Sequence, residues 1–164
     1  MSSELGRLTT NITKVTCLFL ATVTMETSLF PVIIDTVRID LFIGLILGMV
    51  IATSFGTAGI LVIVFSFLLQ AFSGASLGSL PFIYLTIFLG LTAAKNMVYL
   101  ENTISQMVLG TAFYVLGIVL FRLFIPIHIS LGFVASILAS SVLTGLTTPL
   151  IVYMVRMLWR EDEA

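Results

Sequence analysis

"GILVIVFSFLLQAFSGASLGSLPFIYLTIFLGL", residues 59–91, sets two of the oiliest runs of the chain on either side of a small, uncharged stretch, Gln70 to Pro81. A phosphate-cradling loop of the Walker type needs a Lys followed by Ser or Thr after its second glycine, because backbone amides alone leave much of the phosphate charge unanswered. Residues 70–81 contain no cation. The stretch therefore reads as a tight hairpin between two apolar helices. Gly74 and Gly78 supply the turn, Ser73 or Ser76 caps the following helix, and Pro81 falls in that helix's early turns, where its missing donor costs least.

The rest of the chain has the same character. Hydrophobic residues make up 59% of the 164 positions and charged residues 9%, with a mean hydropathy of +1.22. These values lie far outside the range of a soluble domain. A helix crosses a hydrocarbon core of about 30 Å with about 20 apolar residues, and lipid admits only backbones that satisfy their own hydrogen bonds. The long apolar runs lack the ten-residue alternation of outer-membrane strands, so the fold class expected is an all-α integral membrane protein. Six spans fit the sequence, at about 12–30, 40–55, 57–72, 77–94, 103–125 and 130–158, within one membrane domain over 1–164. Tails and short turns occupy the remainder, with no room for a soluble catalytic or binding domain. The uncharged turns "SFGTAG" and "SGASLGS" predict a compact bundle.

The seven basic residues set the expected orientation. With six spans, Arg7, Lys14, Lys95, Arg156 and Arg160 share one face, and Arg38 and Arg122 the other. Basic residues near span ends are retained inside, so both termini are expected in the cytoplasm. Tyr99 and Trp159 fall where interfacial aromatics belong. The first span contains Thr22, Thr24 and Glu26 and no small-x-small cleavage site, and it reads as retained rather than as a signal peptide. Before it, Leu5, Leu8 and Ile12 in "SSELGRLTTNI" recur at helical spacing, as in a short surface helix; a disordered tail is the alternative.

Candidate chemistry is sparse. Cys17 cannot form an internal disulfide or a cysteine metal site and reads as a small packing residue. His128, the single histidine, reads as a turn residue. No Ser and His pair, pair of intramembrane Asp or His-Glu helix motif is present, so no catalytic residues, cofactor or metal are expected. A proton-driven carrier is disfavoured by a midplane nearly free of charge. Nucleic acid is not an expected partner.

The polar residues gather toward the outer side: Glu26, Asp35, Arg38, Asp40, Gln70 and Arg122. Asp40 suits the N-cap of span two, and Glu26 is expected to pair with Arg38 or Arg122. Two rows of small residues recur at intervals of four, Gly44, Gly48, Ala52 and Gly56 along span two, and Gly132, Ser136, Ser140, Thr144 and Thr148 along span six. Such rows let helix backbones approach closely in lipid. They serve either packing within this chain or reception of a partner's single helix.

"METSLFPVIIDTVRIDLFIGLILGMV" and "GTAGILVIVFSFLLQAFSGASLGSLPFIYLTIFLG" together resemble the bacterial rod shape-determining protein MreD family. The likeness lies in a polar residue five before a Pro at the end of span one, an Arg-x-Asp-Leu lead into span two, and a third helix ending in a Ser-Gly-x-x-x-Gly turn. It covers roughly residues 20–95. Glu26 stands where the family often has Gln, Ile39 where Pro is usual, Ser66 where Gly is common, and Gln70 where Asp usually precedes the turn. Gln70 keeps hydrogen bonding and removes the charge.

The resemblance implies a non-enzymatic subunit of the cell-elongation and peptidoglycan-synthesis machinery in the bacterial inner membrane. Its implied partners are the single-span protein MreC, RodA, a penicillin-binding protein and the MreB assembly, with membrane lipid around it. It also implies a fold like the S components of energy-coupling-factor transporters. The alternative function is therefore a vitamin-binding S component. Those proteins carry an Ala-x-x-x-Ala docking surface on the first helix, which Thr13, Cys17 and Ala21 only approximate; Ala135 and Ala139 lie in span six.

Overall fold

The computed structural model describes residues 2–26, 38–73, 78–124 and 131–160. They form six helices: α1 (Ser2–Thr24), α2 (Leu41–Ala52), α3 (Phe55–Ser73), α4 (Ser79–Lys95), α5 (Thr103–Phe121) and α6 (Leu131–Arg160). Three stretches are long and apolar enough to cross a membrane, namely α3, α5 and Gly132–Trp159 of α6, while α2 and α4 are shorter apolar helices. The regular structure of the described residues is all helical, and the chain reads as a multi-pass membrane protein.

The surface helix or disordered tail expected before span one is neither. Residues 2–12 continue into the rest of α1 as one helix. Its hydroxyls bond to its own backbone, Thr10 Oγ1 donating to the Gly6 carbonyl at 3.0 Å and Thr13 Oγ1 to that of Thr9 at 2.9 Å, which lets a polar sequence remain helical. Cys17 is exposed on α1 as a free thiol.

Helix α2 is the axis of the bundle. Each of the other five helices packs on it, and every residue from Leu41 to Val50 is buried. That explains a sequence apolar on all sides: a helix with no outward face needs no polar stripe. Its 12 residues reach about 18 Å, short of a hydrocarbon core. An aromatic chain ties its neighbours to it. Phe65 of α3 stacks on Phe19 of α1 at 4.3 Å between ring centroids. Phe19 meets Phe42 edge-on at 5.6 Å, and Phe42 meets Tyr84 of α4 at 4.7 Å.

Several glycines sit at close approaches between helices. A Cβ on Gly44 would lie 3.1 Å from Ile151 and one on Gly48 would lie 2.8 Å from Val155, so α6 fills this row. Gly110 of α5 and Gly145 of α6 face each other's helix so closely that a methyl on either would overlap Thr148 or Thr111. Gly90 lies against the Phe113 ring in the same way.

Successive helices alternate direction. One end of the bundle carries Glu26, Arg38, Asp40, Gln70 and Arg122, and the opposite end carries Lys14, Lys95, Glu101 and Arg156. The start of α1 and the end of α6 share that second end, where Thr9, Thr10, Thr13, Lys14 and Leu158 line one groove.

Candidate functional site

At the first end, polar side chains from several helices converge on a single extended segment, Arg38 to Asp40, which leads into α2. A helix N-terminus leaves its first amides without intrahelical partners, and inside an apolar bundle those amides need side-chain acceptors. Here four side chains supply them. The Arg38 amide donates to Ser140 Oγ of α6 at 3.0 Å, and the Asp40 amide donates to Thr144 Oγ1 at 3.1 Å. The Leu41 amide donates to Glu26 Oε1, from beyond the end of α1. Asp40 is the N-cap, its Oδ1 accepting from the Ile43 amide at 3.2 Å.

Two tyrosines complete the knot. Tyr84 of α4 donates its hydroxyl to Asp40 Oδ2 at 2.9 Å, and Tyr114 of α5 donates to the Arg38 carbonyl at 3.3 Å. Segment 38–43 is thereby joined to α1, α4, α5 and α6. The expected N-cap role of Asp40 is met. Glu26 finds a backbone amide as its partner where an ion pair with Arg38 or Arg122 was expected. The Arg38 side chain is exposed, and its contribution to the knot is its backbone.

The other end of α2 is closed by a cation. Lys95, the last residue of α4, donates Nζ to the Val50 carbonyl at 2.8 Å. A carboxyl group at the N-terminus and an ammonium at the C-terminus both complement the helix dipole.

Gln70 and Arg122 have separate placements. Gln70 Oε1 accepts from the Gly78 amide at 3.0 Å and so closes the hairpin between α3 and α4. Gly78 occupies the α4 N-cap in the left-handed region at φ 86°, without a side-chain cap bond, and Pro81 follows in the first turn. Ser73 donates its hydroxyl to the Gln70 carbonyl at 3.2 Å, so the capping role expected of it is replaced by the Gln70 amide group. Gly74, Ser76, Asp35 and His128 lie outside the described residues. Arg122 is the C-cap of α5, its amide donating to the Ile118 carbonyl at 3.1 Å.

The small-residue rows divide. Gly44, Gly48 and Ser140 are spent inside the chain, together with buried Thr144 and Thr148. Ala52 and Ser136 are half-buried. Gly56 and Gly132 are open, with nothing within 4 Å of a Cβ placed on either.

A different surface carries an open groove. Between α5 and α6 runs a channel of about 670 Å³, lined by the small residues Thr111, Ala112 and Gly145 and the aliphatic Val108, Val142 and Leu146. It exists because Gly110 and Gly145 bring the two backbones together at its base. Sequence reading missed this groove, as it missed Tyr84 and Tyr114. Isolated glycines in apolar helices carry no spacing signal, and a tyrosine in such a helix reads as packing.

Compared with models of protein families, with curated proteins and with solved structures, this chain matches none.

Proposed function

We propose that this protein is a non-enzymatic scaffold of the MreD type, a multi-pass subunit of the bacterial inner membrane that holds a single-span, MreC-like partner for the cell-elongation machinery. The observation that carries the reading is the α5–α6 groove, with its lining of small and aliphatic residues. In lipid, association of helices rests on such close packing, because tails are as apolar as the side chains they would replace. Helix α5 suits a receiving surface, since only 17% of its apolar window is buried within the chain.

In this reading all six helices lie within or across the membrane, both termini are cytoplasmic, and the polar knot is on the outer side. RodA, a penicillin-binding protein and the MreB assembly are further members of the same complex. The polar groups that a vitamin-binding S component would turn toward a ligand are here engaged with backbone amides of residues 38–43, which favours the scaffold.

The test is replacement of the native protein by Ala112→Leu, which fills the groove without touching the knot. Loss of rod shape and of a copurifying single-span protein, with normal membrane abundance, is expected. Unaltered shape and partner recovery would remove the groove from the account.

A further inference from the structure

The loop between α4 and α5, residues 96–102, holds apolar side chains away from the bundle while its own backbone is fixed. The amides of Asn96, Met97 and Val98 donate to carbonyls in the last turn of α4, at 3.2, 2.9 and 2.9 Å. Asn102 caps α5, its Oδ1 accepting from the Ile104 amide at 3.0 Å. Leu100 is buried in the core as an anchor, and the buried Gln106 donates Nε2 to the Leu100 carbonyl at 2.8 Å. A loop pinned in this way cannot fold its remaining apolar residues inward. Met97 stays 87% exposed and Tyr99 72% exposed, with Val98 between them also exposed. Ordered, contiguous apolar exposure calls for a covering phase.

Charge and position identify that phase. Two cations, Lys95 and Arg156, stand beside the loop; Arg156 lies 3.6 Å from Glu101, and the Lys95 ammonium is held by the Val50 carbonyl. Tyr99 donates its hydroxyl to Glu101 at 2.8 Å, so its polar tip is held among charged groups while its ring is exposed. Apolar helices run up to the loop on both sides. An amphipathic tyrosine flanked by cations at that depth matches the boundary between acyl chains and anionic headgroups.

We propose that residues 96–102 are a rigid interfacial clip, with Met97 and Tyr99 seated just below the headgroups of an anionic leaflet at the end of the bundle where α2 terminates. The clip fixes the depth of a bundle whose central helix is too short to set it. It is independent of the partner groove, which lies along α5 and α6.

The test uses the full chain in vesicles of phosphatidylethanolamine and phosphatidylglycerol. A nitroxide is placed at Met97→Cys in a Cys17→Ala background, and its collisions with oxygen and with a water-soluble nickel chelate are compared. Oxygen is expected to relax the label severalfold more effectively than the chelate, and the order should reverse for a label at exposed Asn102. A chelate-dominated label at Met97 would place the loop in water, open to a soluble partner, and overturn the proposal. A second probe, Tyr99→Trp in a Trp159→Phe background, should be quenched by lipids brominated near the headgroup; unquenched, water-like emission would overturn it equally.

Discussion

Tyr84 and Asp40, 44 positions apart in sequence, meet through a 2.9 Å hydrogen bond that joins the face of α4 to the first turn of α2. Because Asp40 also caps α2 through the Ile43 amide, one side chain links the start of the central helix to its neighbour. Tyr84 further packs edge-on against Phe42, so the polar knot and the aromatic chain share a residue. The arrangement turns the orphan amides of a buried helix start into the joints of the bundle.

Removal of the Tyr84 hydroxyl tests that linkage. Tyr84→Phe keeps the ring contacts and loses the bond to Asp40, leaving a buried acceptor short of a donor, and should destabilise the protein by about 1–2 kcal/mol. Thermal unfolding of the purified protein in detergent measures it. Tyr114→Phe, whose bond to the Arg38 carbonyl is longer at 3.3 Å, should cost less.

The glycines of the row read along span two, Gly48 in α2 and Gly56 at the start of α3, should separate sharply. At Gly48 a methyl would press on Val155 at 2.8 Å, whereas at Gly56 it would meet open space. Gly48→Ala is therefore expected to lower stability by about 1–3 kcal/mol through overpacking, and Gly56→Ala to leave it unchanged or slightly raised. Protease resistance in native membranes distinguishes the pair. Gly48→Leu should prevent folding altogether, which differs from selective loss of a partner.

At the opposite end, Lys95→Met preserves the apolar stem and removes the ammonium that caps the Val50 carbonyl. A loss of about 1 kcal/mol is expected from the missing bond and the uncompensated helix C-terminus. Hydrogen exchange should show the last turn of α2 opening more often while the Asp40 end keeps its protection.

Tyr99 offers a pH measurement outside the spans. Donation to Glu101, together with the field of that carboxylate, raises the Tyr99 phenol above its ordinary value. The neutral phenol is the form the contact favours, so the contact is present below the ordinary phenol range of about 10 and is lost as pH rises through the raised value. In a spectrophotometric titration, the difference between the wild type and Tyr99→Phe should reveal a late-ionising tyrosine. Glu101→Gln should bring that ionisation to lower pH.

Much of the architecture was legible in the sequence because the medium leaves few choices. Five of the six described helices lie close to the runs read from hydropathy, while α1 starts ten residues before its run, and Asp40 could be recognised as a cap from an acidic residue directly before an apolar run. What could not be read was convergence. Glu26, Tyr84, Tyr114, Ser140 and Thr144 belong to one site only because the end of the α1 segment, α4, α5 and α6 each present a polar atom to the same six residues, 38–43. No spacing within any one helix records that. The small-residue row of α2 was visible, and its use by α6 became apparent only from the packing of Ile151 and Val155.

Photo-crosslinking in native membranes tests the central claim most directly. A photoreactive residue is placed at Ala112, in the lining of the α5–α6 groove, and in parallel at Ile60, on the exposed face of α3. A scaffold that receives a partner helix in this groove predicts one discrete protein adduct from Ala112, identified by mass spectrometry as a single-span protein, and lipid adducts alone from Ile60. Lipid adducts alone from both positions would contradict it.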